Sequence, residues 1–294
     1  GFVLQSIGGG GGLVGTDLPP TAIKLVLSNN NGGNGGEIEF TNEGSVITLG
    51  DDAVAVLAQS LGGGGGTVDG LFRGSAGGNG SGGKISLDLT GNILSLGERG
   101  IAVMAQSDGG SGAGNIDVEL DGVIIGGSED PLTASAHARA AGSTEGPAAI
   151  VIDGGTVNTL SLSADSFLMA LNNRIISGGS GSEQVMLNGR AVGNIHLGGG
   201  LNELTVSQGA DFYAQDDVNL GSEGILRIDG NLYLGGAAFL SEGTLGALTR
   251  GSDFQVTSNV SQTTRVNGSL IFGNTATYTP DVYFRQDGAS GGDS

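Results

Sequence analysis

One segment of this chain occurs three times in nearly the same form. Gln5-Ser6-Ile7 stands before a run of glycines, Gln59-Ser60-Leu61 before a second, and Gln106-Ser107-Asp108 before a shorter third. Upstream, Ala53-Val54-Ala55-Val56-Leu57-Ala58 matches Gly100-Ile101-Ala102-Val103-Met104-Ala105 at an offset of 47 residues. At the same offset of 47, Gly36-Glu37-Ile38-Glu39-Phe40 matches Gly83-Lys84-Ile85-Ser86-Leu87. One unit therefore reads as strand, turn, strand, turn, strand and a glycine loop. A unit this short cannot close a core alone, so copies must stack.

Two degenerate copies are read further on. Asn115–Leu120 leads to Thr133–His137, and Ala149–Asp153 leads to Phe167–Leu171. With Gln5, Gln59, Gln106, His137 and Leu171 taken as equivalent, the steps are 54, 47, 31 and 34 residues. The variation lies in the glycine-rich stretch while the strands keep their length, as in a solenoid whose insertions leave from one corner. The strands alternate with period two: Ile85, Leu87 and Leu89 against Lys84, Ser86 and Asp88, and Ile116, Val118 and Leu120 against Asp117, Glu119 and Asp121. One side of each strand is apolar and the other carries the charge. Ala134–Ala141 is rich enough in alanine for a helical turn, but it falls on a strand position.

The expected fold is all-β, a parallel β-helix of three-strand coils with Gly-rich loops and a C-terminal capping region. Residues 1–181 hold coils with variable glycine loops, 182–253 hold compact coils, and 254–294 form an aromatic cap containing Phe254, Phe272, Tyr278, Tyr283 and Phe284. Ten to twelve coils at about 4.8 Å each would make a rod of roughly 50 Å. Stacking also places Gln5, Gln59 and Gln106 above one another, where their amides would form a hydrogen-bonded ladder. Both ends read as interrupted, so the chain is expected to be a piece of a longer protein.

Composition narrows the function. Glycine supplies 61 of 294 residues, against about 7% in average usage. Acidic residues outnumber basic ones 30 to 11, a formal charge of -19, and there is no cysteine. A disulfide scaffold is excluded. A nucleic-acid partner is not expected without a net basic face. No run of about 18 apolar residues exists to span a membrane.

Candidate chemistry is sparse. His137 and His196, the two histidines, read as structural, His196 pointing outward or into a turn. Asp51-Asp52 and Asp216-Asp217 are the paired carboxylates that a polysaccharide-cleaving β-helix would need. As sequence neighbours, each pair would splay apart or sit at a turn. Gly32-Gly33-Asn34-Gly35-Gly36-Glu37 partly matches a calcium β-roll repeat, but Glu stands for Asp, Glu39 takes an apolar position, and the motif does not recur. The glycine loops are the candidates for binding, although Phe72-Arg73 is their main recognition-grade pair. No catalytic, cofactor or metal residue is assigned, and no enzymatic role is expected.

The Ala-Val-x-x-Ala-Gln-Ser-x-Gly-Gly-Gly-Gly-Gly pattern resembles repeats in the passenger domains of large autotransporter adhesins of Gram-negative bacteria. Gln184–Phe212, with Gly193-Asn194-Ile195 and Leu197-Gly198-Gly199-Gly200, resembles their later coils, and Gly230–Gly288 is similar to the autochaperone region that caps them. The resemblance implies a right-handed β-helix, secretion by the type V route, and a signal peptide and translocator barrel elsewhere in the protein. It implies a cell-surface or released adhesin that attaches to other cells or surfaces, with self-association, biofilm formation and virulence as its context. A secreted polysaccharide-degrading enzyme and a structural filament or surface-layer element are the alternatives.

Overall fold

The computed structural model describes residues 1–8, 13–14, 32–63, 67–68, 71–72, 80–126, 147–215, 217–234, 236–238, 256–258 and 265–278. These are all-β, with no helix among them and so none long and apolar enough to cross a membrane.

The chain visits three parallel ladders in turn. The first joins Ile38–Asn42, Ile85–Thr90, Ile116–Asp121, Val157–Leu162, Ser182–Leu187, Glu203–Val206, Ile225–Ile228 and Ser269–Phe272. The second starts at Val46–Thr48 and passes through Ile93–Ser95 and Val123–Gly126. It continues along the leading halves of Phe167–Ser177 and Arg190–His196, then Asp211–Ala214, Asn231–Leu234 and Thr277–Tyr278. The third runs from Phe2–Ile7 through Val54–Leu61, Ile101–Asp108 and Ile150–Gly154. The trailing halves of the two long strands, then Asp217–Asn219 and Arg265–Asn267, complete it. Because Phe167–Ser177 and Arg190–His196 each serve two ladders, the second and third merge into one 14-stranded sheet beside an 8-stranded one.

Among the described residues each ladder has eight rungs, about 34 Å of stacking, against the ten to twelve expected. The difference lies in the long stretches between strands. Residues 127–146 separate Val123–Gly126 from Ile150–Gly154, and Gly236–Ala238 pairs antiparallel with Val256–Ser258 between Asn231–Leu234 and Arg265–Asn267. Arg265–Tyr278, from the segment read as a cap, extends all three ladders by one rung. Phe254, Tyr283 and Phe284 lie outside the described residues.

The core lies between the ladders. Ile85, Leu87, Leu89, Ile116, Val118 and Leu120 from the first ladder meet Ile93, Ile124 and Leu168 from the second and Val56, Val103 and Ile150 from the third. These are small and medium aliphatics, as a narrow interior requires. The expected alternation of apolar and charged sides holds on the first ladder only. On the second, the alternate residues Leu94, Ile125, Met169 and Val192 form a separate apolar cluster and are also buried. On the third, Ile101, Met104 and Val151 do the same. Strands covered on both sides read as continuous apolar runs, such as Val123-Ile124-Ile125.

Candidate functional site

The third ladder brings the repeated Gln-Ser dipeptides into register: Gln5, Gln59 and Gln106 pair in sequence, as do Ser6, Ser60 and Ser107. Gln5 Nε2 donates to Gln59 Oε1 at 2.9 Å, and Gln59 Nε2 to Gln106 Oε1 at 2.8 Å. The expected amide ladder is therefore present. It runs in one direction and ends on Asp153, whose Oδ2 accepts from Gln106 Nε2 at 2.7 Å. A carboxylate has no donor of its own, so it is a fitting last acceptor for a chain of amides. Burial pushes the Asp153 carboxyl up from its ordinary value, and the Gln106 amide opposes that.

Asp153, not His137, is the register partner of Gln106. His137 lies outside the described residues. Leu171 does not continue the Gln column either, because the rung after Ile150–Gly154 is formed by Ile176 and Ser177. The step from Gln106 to Asp153 is again 47 residues. The repeat keeps its length here because a short glycine stretch after Asp108 is offset by residues 127–146.

The serines face the other way and fasten the following turns. Ser6 Oγ accepts from Gly36 N–H, while Ser60 Oγ donates to the Gly36 carbonyl and accepts from Gly83 N–H. Ser107 Oγ donates to the Gly83 carbonyl and accepts from Gly114 N–H. This interlock needs bare backbone. A Cβ on Gly83 would lie 2.5 Å from the Gly36 carbonyl oxygen, and one on Gly82 would lie 2.5 Å from Ser107 Oγ. The Gly32–Glu37 stretch thus has a place in coil stacking, and Glu39 points to solvent beside it. Among the described residues no three carboxylate or imidazole groups converge as a metal site would require.

A second polar column lies at the leading ends of the middle strands of the first ladder, on the inner side. Asn158, Glu183 and Asn202 occupy successive rungs and are each buried to 2% exposure or less. Asn158 Nδ2 donates to Glu183 Oε1 at 3.2 Å, and the Glu183 N–H donates to Asn202 Oδ1 at 2.8 Å. Asn202 Nδ2 reaches the carbonyls of Leu197, Gly199 and Leu220. Glu183 Oε2 has no hydrogen-bond partner. Burial raises the Glu183 carboxyl to about 7, opposed weakly by Asn158 and by the nearby Gly179 and Glu183 amides. Sequence reading passed over this residue, whose signal is a carboxylate at the inward phase of Glu183-x-Val185-x-Leu187.

His196 lies on the outer side of the third ladder, as expected, but it is half-buried. Its Nε2 is 3.1 Å from Asp217 Oδ2. Burial first, and then Arg174, lower its proton affinity, while Asp217 opposes them. Arg174 is 6% exposed, and burial lowers its own affinity against the pull of Asp217. Guanidinium, imidazole and carboxylate thus meet on three successive rungs. Asp216 lies outside the described residues.

The other carboxylate pair occupies a turn. Asp51 Oδ1 accepts from Glu98 N–H at 3.0 Å. Asp52 accepts two bonds from Arg99, Nε to Oδ1 at 2.9 Å and Nη2 to Oδ2 at 2.7 Å. Asp52 and Arg99 share the left-handed backbone conformation, each with φ of 56°. Each carboxylate is taken up by the turn one rung on, and the two do not act as a pair. Of Phe72-Arg73, Phe72 lies in a short strand and Arg73 falls outside the described residues.

The outer side of the first ladder is acidic over its early rungs. Asp88 is the direct register partner of Glu119, and Asp117 and Asp121 share the strand of Glu119. Lys84 answers Asp117 at 2.9 Å, and the Thr159 and Ser163 hydroxyls donate to Asp117 and Asp121. On the second ladder, Tyr213 and Tyr233 stack in register with ring centroids 4.4 Å apart. Beside them Asp211 accepts from Asn231 at 2.8 Å, with Arg190 at 3.5 Å.

Searched against family models, curated proteins and solved structures, the chain matches none.

Proposed function

We propose that this chain is part of an adhesin on the surface of a Gram-negative bacterium. It forms a right-handed parallel β-helix of three-strand coils, built like the passenger of an autotransporter. It holds loops and β-faces out on a stiff rod, so that cells attach to one another or to a surface. Its partners are other cells, through a protein or glycan ligand or through self-association. Neither nucleic acid nor insertion of this part into a membrane belongs to the reading.

The observation that carries it is the continuity of three parallel ladders over eight rungs among the described residues, with stretches of sequence of very different length between successive rungs. Such a stack is stiff along its axis, and in repeat architectures the connections between rungs are the variable, addressable parts. The acidic outer side of the first ladder keeps strand edges and faces from pairing indiscriminately. The polar columns are consumed in joining rung to rung, which suits a spacer and display body.

The test is cell settling. The chain is displayed on a normally non-clumping bacterium, with and without residues 1–180. Clumping that disappears with the deletion supports self-association through the Gly-loop coils. Absence of clumping in both forms overturns self-association, and screens against host glycans and matrix proteins then decide whether the adhesin reading stands.

A further inference from the structure

Two polar columns end and begin at one turn. The outer Gln column stops at Asp153, and the Asn158–Glu183–Asn202 column runs past the turn formed by residues 178–181. A Cβ on Gly179 would lie 3.1 Å from Asp153 Oδ1, and one on Gly178 would lie 2.9 Å from Glu183 Cδ. This turn stands where coils with glycine loops give way to compact coils.

We propose that Glu183 is the proton switch of this joint. It carries a proton while the rungs on either side are paired, and its ionisation loosens Val157–Leu162, Ser182–Leu187 and Glu203–Val206.

The geometry favours the neutral acid. Glu183 is 1% exposed, and its Oε2 has no partner. The strand before it offers the neutral Asn158, and the rung after it offers the neutral Asn202. The turns around it offer backbone and glycine. A Cβ on Gly178 would also lie 2.5 Å from the Leu197 carbonyl oxygen, so an acceptor borders the space beside the carboxyl. Asp153 lies across the turn against Gly179, and Glu203 follows Asn202 on the next rung with its side chain on the outer side beside Arg227; both are acids, and neither is a counter-ion for Glu183. No charged neighbour contributes to the shift of Glu183. A buried carboxylate without a counter-ion is strongly disfavoured, whereas a buried carboxylic acid can donate a hydrogen bond.

The sign follows from linkage. The folded value, about 7, lies above the ordinary 4.5, so the folded chain holds the proton more tightly. Stability from this group is complete below pH 4.5. It falls as pH rises toward 7 and is level above that. The change in the folding equilibrium across this window is on the order of 10²-fold.

The experiment compares the intact chain with Glu183→Gln. Urea unfolding at pH 5 and pH 8 should show the variant more stable than the parent at pH 8 and equal to it at pH 5. Hydrogen exchange, corrected for intrinsic rate, should show residues 157–162, 182–187 and 203–206 opening more readily at pH 8 in the parent only. Carboxyl carbon NMR of glutamate-labelled parent, with Glu183 assigned from the variant or by sequential connectivity, should place its midpoint near neutrality. Any of three results overturns the proposal: an ordinary carboxylate midpoint, a variant equally destabilised at both pH values, or full recovery of the parent at pH 8 on adding calcium or potassium chloride. The last would make the occupant a cation. If the variant does not fold, the titration of the parent still decides.

Discussion

Gln59 is held from both sides, accepting from Gln5 and donating to Gln106, and it is 3% exposed. Replacing it with Leu leaves the buried Gln106 Oε1 facing an alkyl chain, while the exposed Gln5 amide can turn to water. An unmet buried group costs about 1–3 kcal/mol, so Gln59→Leu should lower stability by about that much in urea unfolding. Gln5 is exposed at the end of the column, and Gln5→Leu should cost less than about 1 kcal/mol. Equal effects at both positions would mean that the column is not a ladder. His196 gives a prediction opposite in sign to that for Glu183. Its folded proton affinity is lowered from the ordinary 6.5, so stability is lost as pH falls below 6.5. His196→Gln should remove that part of the acid sensitivity, read as Tm against pH between 7 and 5. The two groups bend the profile in opposite directions, so each must be read against its own variant.

Among the elements, the interlock of Ser60 and Ser107 with the glycine turns is the least forgiving. A methyl group on Gly83 meets the Gly36 carbonyl one rung away. Gly83→Ala should cost about 1–3 kcal/mol from crowding, more if the Ser60 bond is also lost. Gly44→Ala is the matched control, because a Cβ there comes no closer than 3.9 Å to Asn42 Oδ1. It should change stability by less than about 0.5 kcal/mol. These turns also mark what was legible in the sequence. The first three rungs are readable because the Gln-Ser pair recurs at steps of 54 and 47 residues within similar apolar runs, and the Gln ladder follows from that recurrence and strand stacking. The fourth rung is misread from the sequence because Asp153 stands where Gln is expected, while Thr133–His137 looks like the next copy. A carboxylate can end an amide column but cannot extend it, so identity changes where chemistry demands it. The second covered side of the later strands was hidden for another reason. Alternation reports which strand side is wet, and Val123-Ile124-Ile125 has neither side wet.

At the scale of the whole molecule, the charge of -19 decides how two copies can meet. Asp88, Glu119, Asp117 and Asp121 crowd one side over adjoining rungs, and Lys84 is the cation bound there. Two copies laid together along this side repel over a distance set by salt. Screening length is about 30 Å at 0.01 M and about 8 Å at 0.15 M. If cells clump because these chains associate with one another, settling should be slow in 0.01 M salt and speed up toward 0.15 M. Asp88→Asn with Glu119→Gln should then relieve the low-salt block without altering the rate at high salt. If the chain instead attaches to a cationic partner, the dependence reverses. Attachment is strongest at low salt, and the same double variant weakens it. A rate that ignores salt in both forms would place the contact away from the acidic side, on the later rungs where Gln184, Met186 and Thr205 face outward beside the paired Glu203 and Arg227. The sign of one salt titration therefore separates like-with-like association from capture of a basic surface, and it does so without knowledge of the ligand.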